Sequence, residues 1–137
     1  MIHRGRPLAG AWLPVAAWCL LIFALSSFPL RVDTGAVPGG DKAAHLVEYA
    51  VLGFLLARAL RRTRPSLGSG ALVAAAGLLG ALYGASDEFH QTFVAERTAS
   101  LGDLVADAAG ALLGAAVLAV LSRRRGPVTS PGPSSRT

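Results

Sequence analysis

Apolar residues run almost unbroken through four stretches of this chain, 8–30, 41–60, 71–94 and 100–121, separated by short polar or turn-forming segments. Each stretch approaches or exceeds the ~20 residues that a helix needs to cross a hydrocarbon core. The first contains Pro14 and Cys19 and leaves through Ser26-Ser27-Phe28-Pro29. A segment rich in Gly and Pro follows at 31–40, and Asp41 is placed to cap the second helix. Arg58, Arg61, Arg62 and Arg64 close that helix before a turn at 65–70. The third runs from Ala71 to about Val94, and a link at 95–99 leads to the fourth, which ends at Arg123-Arg124-Arg125. No strand alternation is present. The expected fold is all-α, an integral membrane bundle of four transmembrane helices over residues 1–122. Residues 123–137, basic and then rich in Gly, Pro, Ser and Thr, are expected to form a disordered cytoplasmic tail.

Composition supports this pattern. Hydrophobic residues make up 53% and charged residues 15%, below the ~25% charged of a soluble domain. Arg4 and Arg6 before the first stretch raise a cleaved signal as the rival, but its apolar run exceeds the ~7–15 residues of a signal core. An uncleaved helix is therefore expected. The net charge of +5 does not point to nucleic acid, because the basic residues flank apolar stretches and are not interleaved with aromatics. Ten of the 13 Lys and Arg residues lie at the two termini and in the middle loop, and none of the eight acids does. The positive-inside rule then predicts a multi-pass membrane protein with both termini in the cytoplasm and membrane lipids as its surroundings. The single Cys19 excludes an internal disulfide or a cysteine metal cluster.

Three polar clusters interrupt the apolar pattern: Asp41 and Lys42 with His45, Glu48 and Tyr49; Asp87 and Glu88 with His90 and Gln91; and Arg97 with Ser100, Asp103 and Asp107. Four crossings put all three at the outer face. At ~100° per residue, Asp41, His45 and Glu48 share one side of their helix, with Lys42 and Tyr49 flanking. Tyr83, Asp87 and His90 align, Gln91 lies beside them, and Glu88 points to one side. Ser100, Asp103, Asp107, Gly110 and Gly114 form a stripe, so the three patches are expected to face a shared pocket. Several of these residues have plainer roles: Asp41 as a cap, Lys42 and Arg97 as interfacial cations, Tyr49 as a packing aromatic, Ser26, Ser27 and Ser100 as partners of backbone groups. Asp107 lies ~10 Å beyond Ser100 at ~1.5 Å per residue. Charge at that depth is costly unless paired, and a structural network joining Arg97 or Lys42 to the acids accounts for part of it.

Two imidazoles among carboxylates also suit general acid–base chemistry, with His45, Asp87, Glu88 and His90 as candidates. No activated nucleophile is evident, and ligand spacing such as H-E-x-x-H is absent, so neither a cofactor nor a resident metal is expected.

The run Asp41-Lys42-Ala43-Ala44-His45-Leu46-Val47-Glu48-Tyr49-Ala50-Val51-Leu52-Gly53 resembles the first signature of VanZ-like membrane proteins. Tyr83-Gly84-Ala85-Ser86-Asp87-Glu88-Phe89-His90-Gln91, with Arg97-Thr98-Ala99-Ser100 and Asp103, resembles their second, and Ser26-Ser27-Phe28-Pro29 is similar to the element closing their first helix. The resemblance implies a small bacterial membrane protein of several helices, in a family whose namesake is associated with resistance to the glycopeptide teicoplanin. It also implies functional roles for Asp41, Lys42, His45, Tyr49, Asp87, Glu88, His90, Gln91, Arg97, Ser100 and Asp103, with Asp107 where many relatives carry Asp or Asn. Three functions are compatible with these residues. The first is a pocket binding a cell-envelope lipid or lipid-linked precursor, with Lys42 and Arg97 on its phosphate. The others are an enzyme acting on such a lipid and a structural or partner-binding subunit.

Overall fold

In the computed structural model, which describes residues 9–28 and 40–124 except for the Asp41 side chain, each apolar stretch is one helix. They are α1 (Ala9–Ser27), α2 (Gly40–Thr63), α3 (Ser69–Gln91) and α4 (Leu101–Arg124). Local chemistry explains where their ends depart from the expected ones. α1 stops at Ser27 because Phe28 precedes Pro29, and a residue before proline is driven out of helical geometry. α3 stops three residues short of Val94. There Thr92, Phe93 and Val94 donate to the carbonyls of Phe89, His90 and Gln91 in three-residue turns that use up the terminal acceptors. Glu96 then takes a left-handed backbone (φ 65°) that redirects the chain toward α4. At the opposite end, α2 and α4 each run three residues beyond expectation, because arginine favours helix and its charge suits a helix C-terminus. Arg123 and Arg124, expected in the tail, are thus helical. The rest of the expected tail, 125–137, lies outside the described residues.

Small residues set the packing. α4 lies between α2 and α3, while α1 packs on α2 and, less extensively, on α3. A methyl group on Gly114 would overlap the carbonyl of Ala50, one on Gly110 the carbonyl of Leu46, and one on Gly53 the carbonyl of Ala111. Backbones of α2 and α4 therefore meet directly, as small residues allow between membrane helices. On α3, Gly80 faces the Ala111 side chain and Gly84 faces Asp107.

All four helices are long and apolar enough to cross a membrane. Leu13, Leu20, Val47, Leu78, Leu82 and Val105 are exposed on the outside of the bundle, where a bilayer would cover them. The interior is closed by Ile22, Tyr49, Leu52 and Leu72. Ser26 and Asp87 join the C-terminal ends of α1 and α3, and His45 and Asp107 join the N-terminal parts of α2 and α4. Glu88 with the Ser100 N–H brings the two pairs together at one end. Arg123 meets Ser69 at the other end. The helices alternate in direction, with a polar end and a basic end.

Candidate functional site at the polar end of the bundle

Neighbouring acids on α3 serve different helices. One residue apart means ~100° around the axis, so Asp87 turns to α1 and Glu88 to α4. Asp87 Oδ2 accepts from Ser26 Oγ at 2.6 Å and from Gln91 Nε2 at 3.1 Å. Glu88 Oε2 accepts from the Ser100 backbone N–H at 2.7 Å. Ser100 directly precedes α4, and its own carbonyl receives the N–H groups of Asp103 and Leu104. A carboxylate there satisfies an orphan donor and meets the positive end of the helix dipole.

The larger group of charges lies between α2, α3 and α4. His45 Nδ1 and Asp107 Oδ1 are joined by a 2.9 Å hydrogen bond, the carboxylate accepting, and Asp107 is fully buried. One turn nearer the bundle end, Lys42 Nζ lies 3.5 Å from Asp103 Oδ1. That contact is an ion pair without hydrogen-bond geometry, since the same oxygen has no hydrogen-bond partner. Half of the Lys42 side chain is exposed, which puts its ammonium at the mouth of the cluster. Tyr49 is buried below, its ring 6.4 Å from that of Tyr83. Among the described residues, five buried oxygens carry no hydrogen bond: Tyr49 OH, Asp87 Oδ1, Glu88 Oε1, Asp103 Oδ1 and Asp107 Oδ2.

A second group binds α1 to α3. His90 Nε2 lies 3.1 Å from Ser27 Oγ. The Ser27 hydroxyl donates to the Phe23 carbonyl, so the imidazole N–H is the donor to it. The His90 ring also lies over Phe23, with centroids 4.5 Å apart. Arg97 Nη2 donates to the carbonyls of Leu25 (3.3 Å) and Phe28 (3.5 Å) at the C-terminal end of α1. Tyr83 OH donates to the Cys19 carbonyl at 2.6 Å, and Trp18 Nε1 to that of Glu48 at 3.0 Å.

The expected single pocket is thus two adjoining groups. Lys42, His45, Glu88, Asp103 and Asp107 converge between α2, α3 and α4, while Asp87, His90, Gln91 and Arg97 join Ser26 and Ser27 against α1. Of the two cations expected to pair with the acids, Lys42 does so with Asp103, whereas Arg97 donates to the backbone carbonyls of Leu25 and Phe28. The Asp41 side chain lies outside the described residues. Glu48 contributes its carbonyl to Trp18, an anchor that the polar pattern does not reveal because indole reads as an apolar position. Ser26 and Ser27 carry more than a capping role: each reaches a side chain on α3 more than 60 residues away.

The VanZ/LLP1 family model matches residues 11–122, which takes in all four helices and both groups of polar residues. The chain belongs to the VanZ/LLP1 family. It is accordingly a multi-pass membrane protein, and the family resemblance of its motifs falls on residues that the fold brings together. No curated protein and no solved structure matches the chain.

Proposed function

We propose that this VanZ/LLP1 protein binds the head group of a cell-envelope lipid or lipid-linked precursor at the polar end of its bundle, on the outer side of the bacterial cytoplasmic membrane. The observation that carries the reading is the set of buried oxygens without partners. A cluster that only locked helices together would satisfy its own atoms, since unpaired buried polar groups are costly. Here Glu88 and Asp107 each keep an oxygen unfilled, and Asp103 Oδ1 has no hydrogen bond beside its ion pair with a half-exposed Lys42. Lys42 suits a phosphate, and the carboxylates suit hydroxyl or amine donors on a sugar or head group. Arg97 holds the 92–100 segment to the end of α1 and so fixes the rim of the site.

A second reading, an enzyme acting on such a lipid, is favoured by one contact. Asp107 accepts from Nδ1 of His45, which orients the imidazole and leaves Nε2 to act as a base.

Native mass spectrometry of the full-length protein, released from bacterial membranes in mild detergent, tests both. An anionic or lipid-linked molecule should stay bound, and Lys42→Ala or Asp103→Asn should reduce its occupancy at unchanged membrane abundance. Bulk phospholipid in membrane proportions, unaffected by either substitution, would sink the proposal. Retention of a chemically altered form of an added lipid by the native protein, and of the unaltered form by His45→Gln, would favour the enzyme.

A further inference from the structure

From the meeting of His45, Glu88 and Asp107 we propose a divalent transition-metal site between α2, α3 and α4. One donor atom from each of these residues lies within 4.8 Å of the other two. Each comes from a different helix, so no ligand spacing appears along the sequence and the expectation of no resident metal had nothing to detect. Two carboxylates and one imidazole form a mixed oxygen and nitrogen set. It suits Zn²⁺ or Mn²⁺ better than Ca²⁺, which takes six to eight oxygens.

Two further observations point to a missing cation. Asp107 is fully buried and Glu88 is 7% exposed, yet Oδ2 of the first and Oε1 of the second have no partner. The free Oδ2 of Asp107 faces Gly84, one helical turn before Glu88 on the same side of α3. A Cβ at position 84 would press on that oxygen, so the glycine leaves room for the carboxylate beside Glu88. The Ser100 N–H holds the other Glu88 oxygen, which fixes its carboxylate in position. Charge balance supports the same partner: two carboxylates neutralise one divalent ion, and a neutral imidazole completes the set without adding charge. With one hydrogen bond each, from His45 and from the Ser100 N–H, two carboxylates at this depth in a membrane protein would remain costly without a cation. Lys42 is drawn to Asp103, one turn away.

This inference stands on the three-helix geometry and does not require the lipid reading; an ion here takes the Glu88 and Asp107 oxygens and leaves Lys42 and Asp103 at the mouth to a head group. Its test uses full-length protein with any affinity tag removed, stripped by chelator and titrated with Zn²⁺ or Mn²⁺ alone. One equivalent should bind per chain, and Asp107→Asn, Glu88→Gln and His45→Ala should each weaken binding by at least about tenfold. Glu96→Gln, an acid outside the three ligands, should keep full affinity. Failure of both ions to bind the native protein, or binding unchanged in the three variants, overturns the proposal. Because a variant may lose its fold, pulsed electron paramagnetic resonance of the Mn²⁺-loaded native protein gives an independent readout. Coupling to one imidazole nitrogen is expected there, and its absence from bound Mn²⁺ rejects the site.

Discussion

Asp107 is the residue on which the competing readings separate most sharply. Its partner is His45 and not Arg97, so removing the carboxylate alone strands an imidazole among acids. Breaking a buried pair from one side costs ~3–5 kcal/mol, and Asp107→Leu should lower the thermal midpoint by several degrees. Asp107→Asn keeps a hydrogen-bonding group for His45 and should hold most of the stability while losing function. The deciding variant is Asp107→Leu combined with His45→Leu, because a buried pair replaced on both sides by apolar groups is often tolerated. The site reading expects that double variant to be abundant in membranes and inactive, measured in a host where deletion has a phenotype. Full activity would leave the pair as scaffolding. Helical periodicity in the sequence puts His45, Asp87, Asp103 and Asp107 on interior faces, and the structure buries or partly buries all four. Periodicity alone does not say which helix each face meets. For that reason Glu88 reads in the sequence as a neighbour of Asp87 that points to one side, and only the fold shows that the two belong to different groups.

At the scale of helices, the α2 and α4 contact rests on backbone approach and the attachment of α1 on a few polar bonds. Gly114→Ala should cost ~1–3 kcal/mol, since the new methyl meets the Ala50 carbonyl, which cannot rotate away. Gly70→Ala is the matched control. It lies in the first turn of α3 with nothing within 4 Å, and alanine there should be neutral or stabilising by up to ~1 kcal/mol. Thermal unfolding in detergent by circular dichroism checks both, and equal effects would remove the close-approach argument. α1 is fastened by Ser26 to Asp87, Ser27 to His90, and Trp18 and Tyr83 to carbonyls. Ser26→Ala removes a bond to a buried charged group, worth ~1.5–3 kcal/mol. It should increase protease cleavage between α1 and α2 more than it lowers the overall midpoint. Four helices and their glycine faces are legible from apolar runs and spacing. Their ends shift by up to three residues because turns, proline and terminal arginines act locally. The fastening of α1 is far less legible, since the bonds of Trp18, Tyr83 and Arg97 use backbone carbonyls that have no signature in a sequence.

For the whole molecule, the separation of a polar from a basic end turns the site into a statement about sidedness. Arg61, Arg62, Arg64, Arg123 and Arg124 gather at the end opposite His45 and Asp107. Translocating that end would carry five guanidinium groups across the bilayer, whereas the charges at the polar end are mostly acids, which the positive-inside rule counts little. The basic end is therefore expected in the cytoplasm and the site outside. In a Cys19→Ala background, a cysteine at Ala95, beside the rim held by Arg97, should react with a membrane-impermeant thiol reagent in intact cells. A cysteine at Ser66, in the turn between α2 and α3, should react only after the membrane is opened. Both positions are exposed, so access and not burial decides the result. Labelling of Ser66→Cys but not Ala95→Cys in intact cells would invert the protein. The Lys42 mouth would then face the cytoplasm, and an extracytoplasmic envelope precursor would no longer be a candidate ligand.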